Sequence, residues 1–260
     1  MKHLRARRSE RAGGARAALT GLLVPCTMLA GLLAVSVGAL PGGERAFPDP
    51  VPTPISISAT PPKNAVVLFS GKEEEIKSNF VQRYSNDPGG WTVNANGIAT
   101  PNKHDITSKI EVKDCFLHCE FRCPADANGN PLGGGNSGVG FHGRYEVQIL
   151  NSFGKQPEAH QCGSLYSQKA PIVIASKKAG EWQTYDIIFR APRFDVGDQP
   201  TEKPRATIFH NGILVQNNEE FNGPTGIQYS EYKGMAKTGP IVLQGDHDAV
   251  QFRNVWVVPM

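Results

Sequence analysis

From residue 65 onward the apolar residues recur with period two, and this restricts the chain to strands. The clearest run is Cys115 to Cys123. Cys115, Leu117, Cys119, Phe121 and Cys123 fall on one side, and Phe116, His118, Glu120 and Arg122 on the other. Trp182 to Arg190 alternates in the same way, with Tyr185, Ile187 and Phe189 as its core set. Ala65 to Phe69 reads as a buried strand, and Trp91 to Gly97 as a strand entering a turn. Arg205 to His210 and Ile213 to Gln216 flank Asn211-Gly212, a strong hairpin signal. Ile241 to Gln244 and Gln251 to Val258 close the series. Helical periodicity is confined to a turn or two near Glu73 to Tyr84. Many short strands broken by Gly/Pro turns predict an all-β sandwich or barrel.

The stretch Asn136 to Leu150 carries the most chemistry. It reads as strands Gly138–His142 and Tyr145–Leu150 around a Gly143-Arg144 turn. Tyr145, Val147 and Ile149 point one way and Glu146, Gln148 and Leu150 the other, so Glu146 and Gln148 are about 6.6 Å apart along one face. A carboxyl and an amide side by side in an apolar strand face solvent, a partner or a ligand. The glycine-rich Gly129 to Gly135 is followed by neither Gly-Lys-Ser/Thr nor a helical pattern, which excludes a phosphate loop.

The N-terminal part reads as targeting. Arg5, Arg7, Arg8, Arg11 and Arg16 form a basic region, Ala17 to Leu40 is uncharged and mostly apolar, and Val37-Gly38-Ala39 suits a signal peptidase. Residues 1–39 are expected to be a signal peptide or an uncleaved membrane anchor, which predicts a secreted, periplasmic or cell-envelope protein. Pro25 before Cys26 makes a poor lipobox. Residues 40–64 hold seven prolines and read as an extended tether. Residues 65–260 are then the single folded domain.

The net charge of +3 comes from 27 basic and 24 acidic residues. The leader holds six basic residues (Lys2 and the five arginines) and Glu10, so the remainder has 27−6 = 21 against 24−1 = 23, or −2. The basicity belongs to targeting, and nucleic acid is not an expected partner. Cys115, Cys119 and Cys123 share a strand side and stand about 13 Å apart, too far to bridge one another or to converge on zinc. They read as buried apolar residues, and at most one of them reaches Cys162.

The ordered motifs Gly135-Asn-Ser-Gly-Val139, Gly143-Arg-Tyr-Glu-Val-Gln-Ile149, Gly163-Ser-Leu-Tyr166 with Ala170-Pro171, and Gly180-Glu-Trp-Gln-Thr-Tyr185 carry a resemblance. So do His210-Asn-Gly212, Gly239-Pro-Ile-Val-Leu-Gln244 with His247, and Phe252-Arg-Asn254. Together they resemble the bacterial 3-keto-disaccharide hydrolase domain, a concanavalin A-like lectin/glucanase jelly roll. The resemblance implies a two-sheet sandwich with its site on the concave sheet, and activity on glycosides oxidised to a ketone at C3.

Within that resemblance Glu146 and Gln148 fall on the concave-face strand. His118 and Glu120 share the outward side of their own strand, and two polar pairs suggest one polar patch. His247, in a loop, can exchange a proton near neutral pH. Arg253 could steady an enolate or pair with a carboxylate. Asn136 and Gln244 are candidates for sugar hydroxyls, with Ser137 beside the first. Tyr166 could stack on a sugar. His142 stands where the family more often has an arginine or another polar residue. His210 belongs to a hairpin end.

A conventional glycosidase needs two flanking carboxyl groups, but the position two beyond Glu146 is Gln148. A 3-keto sugar requires less: a base for the C2 proton, a stabiliser for the enolate oxygen and an acid for the leaving oxygen. Glu146 or His247 would be the base, and Arg253, Gln148 or a divalent cation the stabiliser. Glu120, Glu146, His118 and His247 could together hold such a cation. No other cofactor is implied. The alternative function is a non-catalytic carbohydrate-binding module, and a further one is a structural envelope protein on a proline stalk.

Overall fold

The computed structural model describes residues 59–225 and 234–260. The leader-like residues and the tether up to residue 58 lie outside them. Among the described residues, no helix is long and apolar enough to cross a membrane.

In chain order the elements are β1 (Val66–Phe69), α1 (Glu73–Asn79), β2 (Phe80–Gln82), β3 (Thr92–Val93), β4 (Ala99–Thr100) and β5 (Ile106–Val112). Then follow β6 (Cys115–Arg122), β7 (Ser137–Phe141), β8 (Tyr145–Ile149), β9 (Gln183–Arg190), β10 (Arg193–Phe194) and β11 (Pro200–Glu202). The last four are β12 (Arg205–His210), β13 (Ile213–Glu220), β14 (Gly239–Leu243) and β15 (Gln251–Pro259). α1 is a short helix opened by Glu73, Glu74 and Glu75, of which Glu75 accepts hydrogen bonds from the backbone N–H of Ser70 and Lys72. It buries only Ile76.

Apart from β10 and β11, which pair only with each other, the strands form a two-sheet jelly-roll sandwich. One sheet has eight strands in the order β13-β12-β9-β6-β15-β4-β3, with β1 also on β15. The other has five, in the order β2-β5-β14-β7-β8. Asn211 (φ 52°) and Gly212 (φ 77°) make the β12–β13 turn, whose positive φ values match the twist of the strands it joins.

The sheets meet through the apolar side of each alternation. Phe141 of β7 stacks on Phe189 of β9 at 4.6 Å. The Tyr185 hydroxyl donates to the Gln148 carbonyl at 2.5 Å. The odd-numbered residues of β6 and of β8 belong to the same core. Therefore the even-numbered residues of those two strands face away from the core on opposite sides of the molecule. His118 and Glu120 lie on the outer face of the eight-stranded sheet, and Glu146 and Gln148 on that of the five-stranded sheet. The expected single patch does not form, because the core stands between the two pairs.

All four cysteines of the domain are free and buried.

Candidate active site

The five-stranded sheet builds its site on a floor without side chains. Gly138 and Gly140 of β7 pair with Gln148 and Glu146 of β8, respectively. On the other side of β7, Val242 of β14 pairs with Gly140, and the Gln244 N–H donates to the Gly138 carbonyl. A Cβ on Gly138 would stand 2.6 Å from Glu146 Oε1 and 2.9 Å from its Cγ. The Glu146 side chain thus occupies the space a residue-138 side chain would fill, which requires glycine there.

β8 is an edge strand, but its free side is covered. The Glu146 N–H donates to Thr225 Oγ1 at 2.6 Å, and its carbonyl accepts from the Tyr166 N–H. The Gln148 N–H donates to the Ser164 carbonyl, and the Gln148 carbonyl accepts from the Gly163 N–H. Consequently Glu146 is only 1% exposed, well beyond the solvated outer face that alternation alone would suggest.

Burial is the largest cause that pushes the Glu146 carboxyl up to about 8, followed by the negative charges of Asp105 and Asp246. The Gln244 amide and Arg83 act in the opposite direction. Asp105 is also raised, first by burial and then by Asp246, while the Gly245 N–H and Arg83 hold it down. Its Oδ1 accepts from the Gly245 N–H at 2.9 Å and its Oδ2 from Arg83 Nη1 at 3.3 Å. Arg83 Nη2 donates to the Gly143 carbonyl. The arrangement is a pair of carboxyl groups in a low-dielectric recess with one guanidinium beside them.

The loop after β14 is held at both ends. Asp105 binds Gly245, while the Asp248 carboxylate accepts from the Asn136 N–H at 2.8 Å and the Asp248 N–H donates to the Asn136 carbonyl. Between them His247 is exposed, with Nε2 3.5 Å from Asp246 Oδ1. Gln148 Nε2 lies 3.4 Å from Asn136 Oδ1 and 3.5 Å from the His160 carbonyl. The His160 ring meets Tyr166 edge-on at 5.3 Å, and its Nε2 is 3.0 Å from the Ser167 hydroxyl. Glu146, Gln148, Asn136, Gln244 and Tyr166 are therefore neighbours on one face, with His247 on the loop that borders it.

Four expected site residues lie elsewhere. Arg253 Nε donates to Glu120 Oε2 at 2.7 Å, and its guanidinium sits 4.1 Å from the Trp182 ring centroid. His118 stacks on Trp256 at 4.9 Å, with Nδ1 2.7 Å from Asp186 Oδ1. These two and Glu120 form an ion network on the other sheet, and Arg253 cannot steady charge near Glu146. His142 is buried with its ring 4.9 Å from Phe189 and Nε2 3.2 Å from the Lys113 carbonyl. It is 1% exposed against that core ring, with a backbone φ of 55°, and burial lowers its pKa, so it packs rather than binds sugar. The Glu120–Glu146–His118–His247 cation patch is split by the same parity. Among the described residues, no group of three or more His, Cys, Asp or Glu converges in a metal-holding arrangement.

Arg83, Asp105, Asp246 and His160 were not expected at the site. Asp246 and Asp248 flank His247 visibly in the sequence. Asp105 and Arg83 carry no motif and reach the site only through the β2–β5 pairing.

The family model for 3-keto-alpha-glucoside-1,2-lyase-like domains matches residues 64–258. A solved structure of a candidate glycosyl hydrolase from Parabacteroides distasonis is 31% identical, with a TM-score of 0.65 over 83% of this chain and 95% of that one. Two more candidate glycosyl hydrolases from that organism share the fold. One is 20% identical with a TM-score of 0.52 over 75% of this chain and 99% of its own. The other is 15% identical with a TM-score of 0.54, over 76% and 94%. Among curated proteins none matches the chain.

Proposed function

Since this chain belongs to the family of 3-keto-alpha-glucoside-1,2-lyase-like domains, we propose that it cleaves glycosidic bonds of 3-keto-glycosides by elimination followed by hydration. The observation that carries the reading is the Glu146 carboxyl, laid over Gly138 and held to about 8 by burial beside Asp105. A base with a pKa close to working pH is strong enough to take a carbon-bound proton and is still partly ionised. The similarity to candidate glycosyl hydrolases supports carbohydrate as the substrate class.

In the proposed reaction the C3 ketone acidifies the C2 hydrogen. Glu146, as carboxylate, takes that proton, and the electron pair moves into the C2–C3 bond to leave an enolate at the C3 oxygen. The Gln244 amide acts directly on Glu146 and is suited to donate to that oxygen, while Gln148, turned toward Asn136 and the His160 carbonyl, borders it. The pair returns to form the C1–C2 double bond, the C1–O bond breaks, and the departing oxygen receives a proton. Water then adds across C1 and C2, giving net hydrolysis. His247, at the border, is placed to serve the departing group or the water. The leader pattern in residues 1–39 supports action in the envelope or outside the cell.

The test is product analysis by mass spectrometry with 3-keto-trehalose and 3-keto-glucosides in deuterated water, with and without chelator. Deuterium at C2 of the released keto sugar, above the solvent-only exchange, is expected. The ratio kcat/KM should rise with pH toward a plateau above about 8, the value held by Glu146. Equal turnover of unoxidised disaccharides would overturn the reading.

A further inference from the structure

We propose that the cavity at the end of β6 is a second carbohydrate site, which takes a pyranose carrying a carboxylate, a uronate, with Arg122 binding that carboxylate. Arg122 is on the sheet that does not carry Glu146, and the proposal stands independently of the reaction there. The cavity measures about 590 Å³, a size that suits a small-molecule ligand. Arg122, Gln251, Asp126, Pro124 and Leu132 are among the residues that line it. Its walls are tied to one another. The Gly180 N–H donates to the Cys123 carbonyl at 2.9 Å, and the Leu132 N–H to the Pro124 carbonyl at 3.0 Å.

The first observation is how Arg122 is held. Its Nε and Nη2 donate to Gln251 Oε1 at 2.9 and 2.5 Å, and Gln251 Nε2 donates in turn to Thr100 Oγ1. Its guanidinium lies 4.8 Å from the Trp182 ring centroid. One edge is thus fixed by a neutral amide, and among the described residues Nη1 has no partner. The charge is unmatched as well. Arg253 shares the same indole and pairs with Glu120, whereas no carboxylate of the described residues pairs with Arg122. Burial and then the Arg253 charge both lower the Arg122 pKa, and no acid opposes them. A preorganised fork with its outer edge unfilled, set beside a like charge, suits an anion from outside the chain.

Asp126 decides which anion. It lines the same cavity, and its Oδ1 accepts from the N–H groups of Asn128 and Asn130 while Oδ2 accepts from Asn130 Nδ2. This second charge works against a phosphate dianion. A carboxylate brings a single charge and fills the guanidinium fork with two parallel hydrogen bonds. Carried on a pyranose, it also brings hydroxyl donors for the lone pairs that Asp126 Oδ2 has to spare. Pro124 and the exposed Leu132 offer apolar area to the ring.

Titration calorimetry of the full chain with trigalacturonate, its methyl ester and inorganic phosphate tests this, with Tm read for each variant. Trigalacturonate should bind one to one, and the ester and phosphate at least about tenfold more weakly. Arg122→Gln should weaken trigalacturonate binding by about 10–100-fold, the loss of a charge-assisted pair. Leu132→Asp puts a repelling charge on the exposed wall without disturbing the core, and should weaken it about tenfold at the wild-type Tm. Leu132→Asn should weaken it less than about threefold. Absent binding by wild type, or equal binding of the ester, overturns the proposal. Phosphate bound as tightly as trigalacturonate overturns the assignment to a sugar acid. Undiminished binding in Arg122→Gln at the wild-type Tm overturns the role of Arg122. Should Arg122→Gln fail to fold, Leu132→Asp decides: weakened binding supports the site and unchanged binding overturns it.

Discussion

Glu146 links chemistry to stability through one proton. Its folded value near 8 lies above the ordinary 4.5, so between those limits the folded chain keeps a proton that the unfolded chain releases. Raising the pH through that window removes stability. We expect chemical denaturation of Glu146→Gln to show a shallower fall from pH 5 to 8 than wild type, and activity to drop by about 10²-fold or more. Gly138 is the matching control for position. The Cβ of Gly138→Ala would displace the Glu146 carboxylate, so activity should fall by about 10²-fold. The same change should cost about 1–3 kcal/mol of stability, read from the denaturation midpoint. Glu146 and Gln148 are legible in the sequence because two alternate polar positions interrupt an apolar strand. Asp105 and Arg83 are not, since an acid before one strand and a base after another mean nothing until the strands are paired.

At the scale of the elements, alternation in β6 sorts its residues correctly into two sides but cannot tell which sheet each outer side belongs to. That depends on the strand order, with β6 between β9 and β15 and β8 at the edge of the other sheet. Hence the fold class follows from periodicity, while a shared site for His118, Glu120 and Glu146 does not. The network on β6, β9 and β15 has its own energetics. Burial lowers the His118 pKa, but hydrogen bonds to Asp186 and Glu120 outweigh it and raise the value above 6.5. Its stabilising contribution is complete below 6.5 and fades as pH rises through the folded value. Truncating Glu120 removes the carboxylate partner of Arg253 and one of the two carboxylates beside His118, whose other partner is Asp186. Glu120→Ala should therefore destabilise the domain by about 3–5 kcal/mol in denaturant titrations. The kcat/KM of the folded fraction should stay near wild type, as the core separates Glu120 from Glu146.

Over the whole molecule, a single core joins the two sheets and encloses every cysteine of the domain. Burial raises the thiol pKa of Cys115, Cys119, Cys123 and Cys162, which suppresses the reactive thiolate. A chain of residues 59–260 should show no thiol reactive to an aromatic disulfide reagent when folded, and four after unfolding. A bridge found by peptide mapping among Cys115, Cys119 and Cys123 would contradict the strand they share. The glycine floor has an effect on the history of the protein as well. Ground made of bare backbone can be raised by mutation but never lowered, so every substitution at positions 138 and 140 shrinks the space above. Any widening of the recess would have to come from the loops that border it, while the bed beneath stays as it is.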